Sequence, residues 1–129
     1  MDAVGPSALI ATTVLLCDFV WLTLRYDYHM KIFQSIQKSK MNVRLFPALL
    51  IYVVIGVALY MWAVKDSKTI QQAVLRGAFV GFMMYAFYDL TNYATLNAWT
   101  VEFALTDVMW GTFVCAIGSL AGFYFRKLK

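Results

Sequence analysis

Three aspartates, Asp18, Asp89 and Asp107, each lie within a long apolar run of the sequence. A charged aspartate at the centre of a membrane helix costs about 2.5–3.5 kcal/mol on insertion scales, so such residues are functional candidates by default. The three carboxyl groups could exchange protons with a substrate, bind a polar group or a cation, or act only as hydrogen-bonded links between helices.

Each acid has a potential hydrogen-bond donor on the same helix face, three or four residues away. Indole, phenol and amide groups can all donate to a carboxylate on a neighbouring helix. The segments around Asp18 and Asp107 share the pattern D-x-x-W-x-T. We therefore predict one polar binding pocket, made of Asp18, Trp21, Tyr85, Asp89, Asn92, Asp107 and Trp110. No residue is assigned a catalytic role. No metal site is predicted, because the only histidine, His29, lies outside these runs.

Four runs of about 20 apolar residues carry these side chains, and each is long enough to cross a bilayer. They cover approximately residues 7–24, 46–64, 73–93 and 103–125. The chain is 62% hydrophobic and 14% charged, which is more apolar than a soluble domain of 129 residues can hide. We predict an all-α fold, a single domain over residues 1–129 that is a bundle of four transmembrane helices. The acid within the first run argues against a cleaved signal peptide.

The connector between the first two spans, residues 25–44, has apolar residues at helical spacing: Tyr26, Met30, Phe33 and Ile36. Charged and polar residues lie between them, which predicts an amphipathic helix in the membrane interface. An extension of the first span into water is the alternative. The face that carries this connector, here termed the long-connector face, also receives the end of the third span and the start of the fourth. All three acids are therefore expected about 6–10 Å below it.

Two G-x-x-x-G stripes lie toward the opposite face, here termed the terminal face because both chain termini lie there. They are Gly77 with Gly81 in the third span, and Gly118 with Gly122 in the fourth. Small residues permit close helix packing. We predict that the third and fourth helices pack together there and leave room at the acidic end for a cavity that opens to the long-connector face. Packing of two chains through one stripe, which gives a homo-oligomer, is the alternative.

Charge and motifs restrict the partners. The net charge is +4, and the basic residues lie almost entirely outside the apolar runs. This predicts membrane lipids as partners, through contact with headgroup phosphates, and no nucleic acid. The basic residues divide nearly equally between the two faces, so the orientation stays open. No nucleophile elbow, nucleotide loop or H-E-x-x-H occurs in the sequence, and no cofactor is implied.

The string Tyr88–Leu96, YDLTNYATL, resembles the signature Y-D-L-T-N-x-A-T-L of a family of small predicted membrane proteins of unknown function. The motifs D-x-x-W-L and D-x-x-W-G-T of its first and last helices are matched at Asp18 to Leu22 and Asp107 to Thr112. The resemblance implies a four-helix membrane fold and no established reaction. It also implies a link to lipid chemistry, because genes of bacterial relatives often lie near genes for fatty-acid modification.

Three functions fit these residues. The first, slightly favoured, is an enzyme or accessory protein of lipid or fatty-acid modification that uses the acids near the headgroups. The second is a small proton- or cation-coupled carrier. The third is a structural or assembly protein in which the acids only join helices.

Overall fold

The computed structural model describes residues 2–128, which form five helices and contain no strand. The helices are α1 (Val4–Leu24), α2 (Tyr26–Gln37), α3 (Leu45–Leu59), α4 (Ile70–Thr95) and α5 (Val101–Lys127). A π-helical turn, Tyr60–Val64, continues α3. Helices α1, α4 and α5, and α3 together with this turn, are long and apolar enough to cross a membrane. The predicted all-α fold, four spans with a short helix between the first two, is confirmed.

Threonine caps fix where α4 and α5 begin, on opposite faces of the bundle. The hydroxyl of Thr69 accepts the N–H of Gln72 at 3.2 Å, and that of Thr100 accepts the N–H of Phe103 at 3.1 Å. Such caps satisfy N–H groups that a helix start leaves without partners. Because the caps fix where the two helices begin, they also fix the depth of Asp89 on α4 and of Asp107 on α5.

Glycines on α4 let α4 and α5 pack backbone to backbone near the terminal face. A Cβ atom added to Gly77 would lie 2.2 Å from Oγ of Ser119. One added to Gly81 would lie 2.4 Å from the carbonyl oxygen of Gly111. Neither distance leaves room for a methyl group, so the first glycine stripe packs the third and fourth spans together.

The second stripe serves a different helix pair from the one expected. A Cβ atom on Gly118 would lie 2.9 Å from the side chain of Val14, and one on Gly122 would lie 2.5 Å from that of Ile10. Both contacts are with α1. The reason is that α5 is the central helix, with one face on α4 and a neighbouring face on α1.

The two halves of α3 have different surroundings. In the second half, Gly56 packs against the backbone of Ser7, and Ile55 and Leu59 are buried in the core. The first half of α3 is mostly exposed, and α3 makes few contacts with α4 before the π-helical turn. Arg126 of α5 anchors the end of the π-helical turn, because its guanidinium donates hydrogen bonds to the backbone carbonyls of Val64, Lys65 and Ser67.

Helix α2 folds over the long-connector end of the bundle. Its residue Ile32 packs in a cluster with Trp99 and Phe103, at the α4–α5 loop and the start of α5. Of the predicted apolar face, Met30, Phe33 and Ile36 are half-buried, and Phe33 and Ile36 pack against this cluster. Tyr26 is exposed instead, and His29 and Ile32 are the most buried residues of α2. The amphipathic helix therefore lays its apolar face on the bundle.

Candidate functional site

The three acids lie at one level of the bundle. Asp18 is six residues before the end of α1, Asp89 is six before the end of α4, and Asp107 is six after the start of α5. All three of these helix ends are on the long-connector face. At a rise of 1.5 Å per residue, each carboxyl group is about 9 Å below those ends.

Asp18 joins α1 to α5 through a hydrogen bond. Its Oδ1 atom accepts the indole N–H of Trp110 of α5 at 2.7 Å. The hydroxyl of Tyr52 of α3 lies close to the same carboxyl group. Because a buried carboxylate needs donors, the Trp110 bond fixes the position of α5 against α1.

Asp89 and Asp107 form a pair of neighbouring carboxyl groups. Asp89 is 0% exposed, and its Oδ1 accepts the indole N–H of Trp99 at 3.1 Å. Its Oδ2 is buried and has no donor within residues 2–128. The Asp107 carboxyl group lies beside it. Two carboxyl groups can hydrogen-bond to each other only when one of them carries a proton, so the pair can hold a shared proton.

Two stacked tryptophan rings lie beside the acids, and an arginine side chain packs on one of them. The rings of Trp21 and Trp110 are parallel, with centroids 4.6 Å apart and an interplanar angle of 3°. The Arg25 guanidinium lies over Trp21 at 4.9 Å and over Tyr28 at 4.7 Å. The indole N–H of Trp21 is buried and has no acceptor within the described chain. Trp21 thus acts as a flat wall, whereas Trp110 also donates to Asp18.

These elements line a half-open cavity of about 360 Å³ that has both polar and apolar walls. Asp18 and Asp107 supply its carboxyl groups, and no basic side chain lines it. Its aromatic walls are Trp21, Phe33, Tyr85, Tyr88, Phe103 and Trp110. Leu22, Ile51, Ile55 and Met84 supply its aliphatic wall. A volume of this size is within the range of small-molecule pockets.

The predicted site residues divide between this cavity and its surroundings. Five of them line it: Asp18, Trp21, Tyr85, Asp107 and Trp110. Asp89 lies behind Asp107 and does not line it. Asn92 is half-buried and does not line the cavity; its side chain lies close to that of Tyr88, a wall residue.

Several residues of the site do not follow from spacing along one helix. Tyr52 is a single phenol within the apolar α3, and that hydroxyl is the one signal that could have identified it. Trp99 reaches Asp89 from the α4–α5 loop. Phe33 of α2 and Phe103 at the start of α5 also line the cavity. These two rings meet only because α2 packs on the end of the bundle.

The acids do not form a metal centre. Within residues 2–128, no group of three or more His, Cys, Asp and Glu side chains could hold a metal ion. His29 is buried instead in the packing of α2, with Nδ1 3.0 Å from the carbonyl oxygen of Arg25 and its ring edge against Phe103.

Comparison with known proteins gives one match. Neither a curated protein nor a solved structure matches the chain significantly. Residues 6–124 match the family described as "Predicted membrane protein (DUF2177)", a range that covers most of the chain and includes most of each of the four spans. The chain is therefore a multi-pass membrane protein that belongs to the DUF2177 family, whose function is not known.

Proposed function

We propose that this protein binds a membrane lipid in the acidic cavity and serves a step of lipid or fatty-acid modification. The observation that carries the proposal is the cavity itself, which combines two carboxyl groups with a long apolar wall. A lipid has the same two-part character, because a polar head is joined to an apolar chain.

The position of the cavity supports this proposal. Two of its wall residues, Leu22 of α1 and Ile51 of α3, are 45% and 54% exposed on the outside of the bundle. The outside of the spans would face acyl chains. The first half of α3 stands away from α4, so a chain could pass between them without breaking a helix–helix contact. The acids are about 9 Å below the helix ends, so they lie in the half of the bilayer nearest the long-connector face.

The two alternative functions have less support. A carrier needs groups that lead a proton or cation across the bilayer, whereas the three acids are all in one half of it. A purely structural role would leave a cavity of about 360 Å³ next to carboxyl groups, although protein interiors are normally closely packed.

Photo-crosslinking tests the lipid site. Protein in nanodiscs would be irradiated with a phospholipid whose acyl chain carries a diazirine, and the adducts would be mapped by peptide mass spectrometry. We expect adducts around Ile51 and Leu22 to exceed those on the outer face of α4, for example at Phe87. The variant Ile51→Trp, which fills the mouth of the cavity, should remove most of this excess.

Val54→Trp is the matched control, because Val54 is on the same helix, is 55% exposed and does not line the cavity. Equal labelling in both variants, or adducts spread evenly around the bundle, would show that the cavity holds no lipid. The modification step has a separate test, in which acyl and headgroup species are profiled in cells that express wild type or Asp107→Asn. Identical profiles with and without the wild-type protein would remove that part of the proposal.

A further inference from the structure

We infer that the head of the bound molecule is an organic ammonium group, held by Asp18 and Asp107 within the ring of aromatic side chains. The inference rests on the proposed function for the lipid, and it adds the chemistry by which the head is recognised. A primary amine and a quaternary ammonium group both have this chemistry.

The aromatic walls are the first observation. Six aromatic rings line the cavity. Trp110 covers one face of Trp21 and Arg25 covers the other, so a bound cation would meet the remaining five rings: Phe33, Tyr85, Tyr88, Phe103 and Trp110. The face of an aromatic ring attracts a cation, indole most strongly, and cages of such rings bind alkylated ammonium groups. A fatty-acid carboxylate or a phosphate gains nothing from these faces.

The charge of the cavity is the second observation. Its two ionisable wall residues that can carry charge near neutral pH are both acids, and no basic side chain lines it. Arg25 lies over the outer side of Trp21 and forms no ion pair with either acid. His29 interacts electrostatically with Asp107 but is not a wall residue. An anionic head would meet repulsion here, and a cationic head would meet attraction.

The pair of neighbouring carboxyl groups is the third observation. Asp89 is fully buried, and Asp107 lies between it and the cavity. With one shared proton, the two carboxyl groups together keep one negative charge. A buried charge is costly unless it is paired. A cation in the cavity would pair with that charge at Asp107.

A competition experiment tests the inference. Wild-type protein in phosphatidylglycerol nanodiscs would be labelled with the diazirine phospholipid while one competitor at a time is added. The competitors are phosphatidylethanolamine, phosphatidylcholine, oleate and the free amines ethanolamine and choline. We expect one or both of the amine-bearing phospholipids to compete at least 10-fold better than oleate. In Asp107→Asn this preference should fall to less than 3-fold, whereas Asp66→Asn, at an exposed site far from the cavity, should retain it.

A pair of tyrosine variants tests the aromatic wall without depending on an acid. Tyr88 lines the cavity and is 49% exposed. Tyr88→Phe keeps the ring, whereas Tyr88→Leu removes it. We expect Tyr88→Leu to weaken competition by the amine lipid by about 3- to 30-fold, with a smaller loss for Tyr88→Phe. Equal losses in the two variants would count against recognition by the ring face.

The outcomes separate the inference from the proposed function. If oleate competes as well as the amine lipids, the ammonium inference is wrong and the lipid site stands. If the free amines compete as well as the amine lipids, the ammonium site stands and the lipid proposal fails. If nothing competes for the labelled positions, both fail.

Discussion

Replacement of Gly81 by alanine tests the backbone packing that holds α4 against α5. The new methyl carbon would lie 2.4 Å from the carbonyl oxygen of Gly111 and 2.6 Å from Cβ of Cys115. Ordinary contact begins near 3.4 Å, so the two helices would have to separate by about 1 Å at this level. Overpacking of this kind typically costs about 1–3 kcal/mol. Alanine is the better helix former by about 0.5–1 kcal/mol, so we expect a net loss of about 1 kcal/mol and at most about 2.5 kcal/mol.

The free energy of unfolding would be measured by circular dichroism of the purified protein in mixed micelles of rising SDS fraction. Gly5→Ala is the matched control. A Cβ there would meet only the far edge of the Phe125 ring, at 2.6 Å, and a ring edge can move. We expect the control to be neutral or slightly stabilising. If Gly81→Ala were as stable as Gly5→Ala, α4 and α5 would not pack as closely as described.

Three further outcomes are expected. Trp99→Phe should lower the free energy of unfolding by about 1–2 kcal/mol, because Asp89 loses its indole donor. The same change at exposed Trp62 should alter it by no more than about 0.5 kcal/mol. Equal effects in the two variants would contradict the hydrogen bond between Trp99 and Asp89. Arg126→Met should destabilise the protein more than Lys127→Met in the same unfolding assay, because only Arg126 holds the carbonyls at the end of α3; equal stabilities would show that the cap contributes nothing. In single-tryptophan variants, a brominated phospholipid should quench the fluorescence of Trp62 strongly and that of Trp99 weakly; the reverse order would place the lipid-facing surface wrongly.

The spans and the common depth of the acids could be predicted because both depend on position along the chain. Each apolar run has the length of a bilayer crossing, and each acid is near the end of its run that faces one side. Thr69 and Thr100 then fix the helix starts by local chemistry alone. Distances along a helix axis follow directly from residue counts, so this part of the geometry needed no tertiary information.

The rotation of each helix about its own axis could not be predicted in the same way. Trp21 and Trp110 occupy the same position of the same motif, three residues after an acid. Nevertheless, the indole of Trp110 donates to Asp18, whereas Trp21 only stacks on Trp110. The two glycine stripes are equally alike, and they pack against different helices. Identical local patterns acquire different roles because α5 is central and α1 is peripheral, and that order depends on packing across the whole bundle.

The terminal half of the bundle explains why a cavity exists in the other half. Glycines bring α4 against α5, Gly56 brings α3 against α1, and Arg126 ties the end of α3 to α5. With the helices joined there, α3 can lean away near the long-connector face without loss of its anchor. The open half contains the three costly carboxyl groups, so its stability depends on the closed half and on whatever fills the space between Asp18 and Asp107. A ligand that binds only the folded chain adds stability as RT ln(1 + [L]/Kd). We therefore expect the protein to have a higher free energy of unfolding with its lipid bound than without it. Asp107→Asn should reduce this stabilisation by the lipid. If the acids acted only as links between helices, Asp107→Asn would leave the stabilisation by the lipid unchanged.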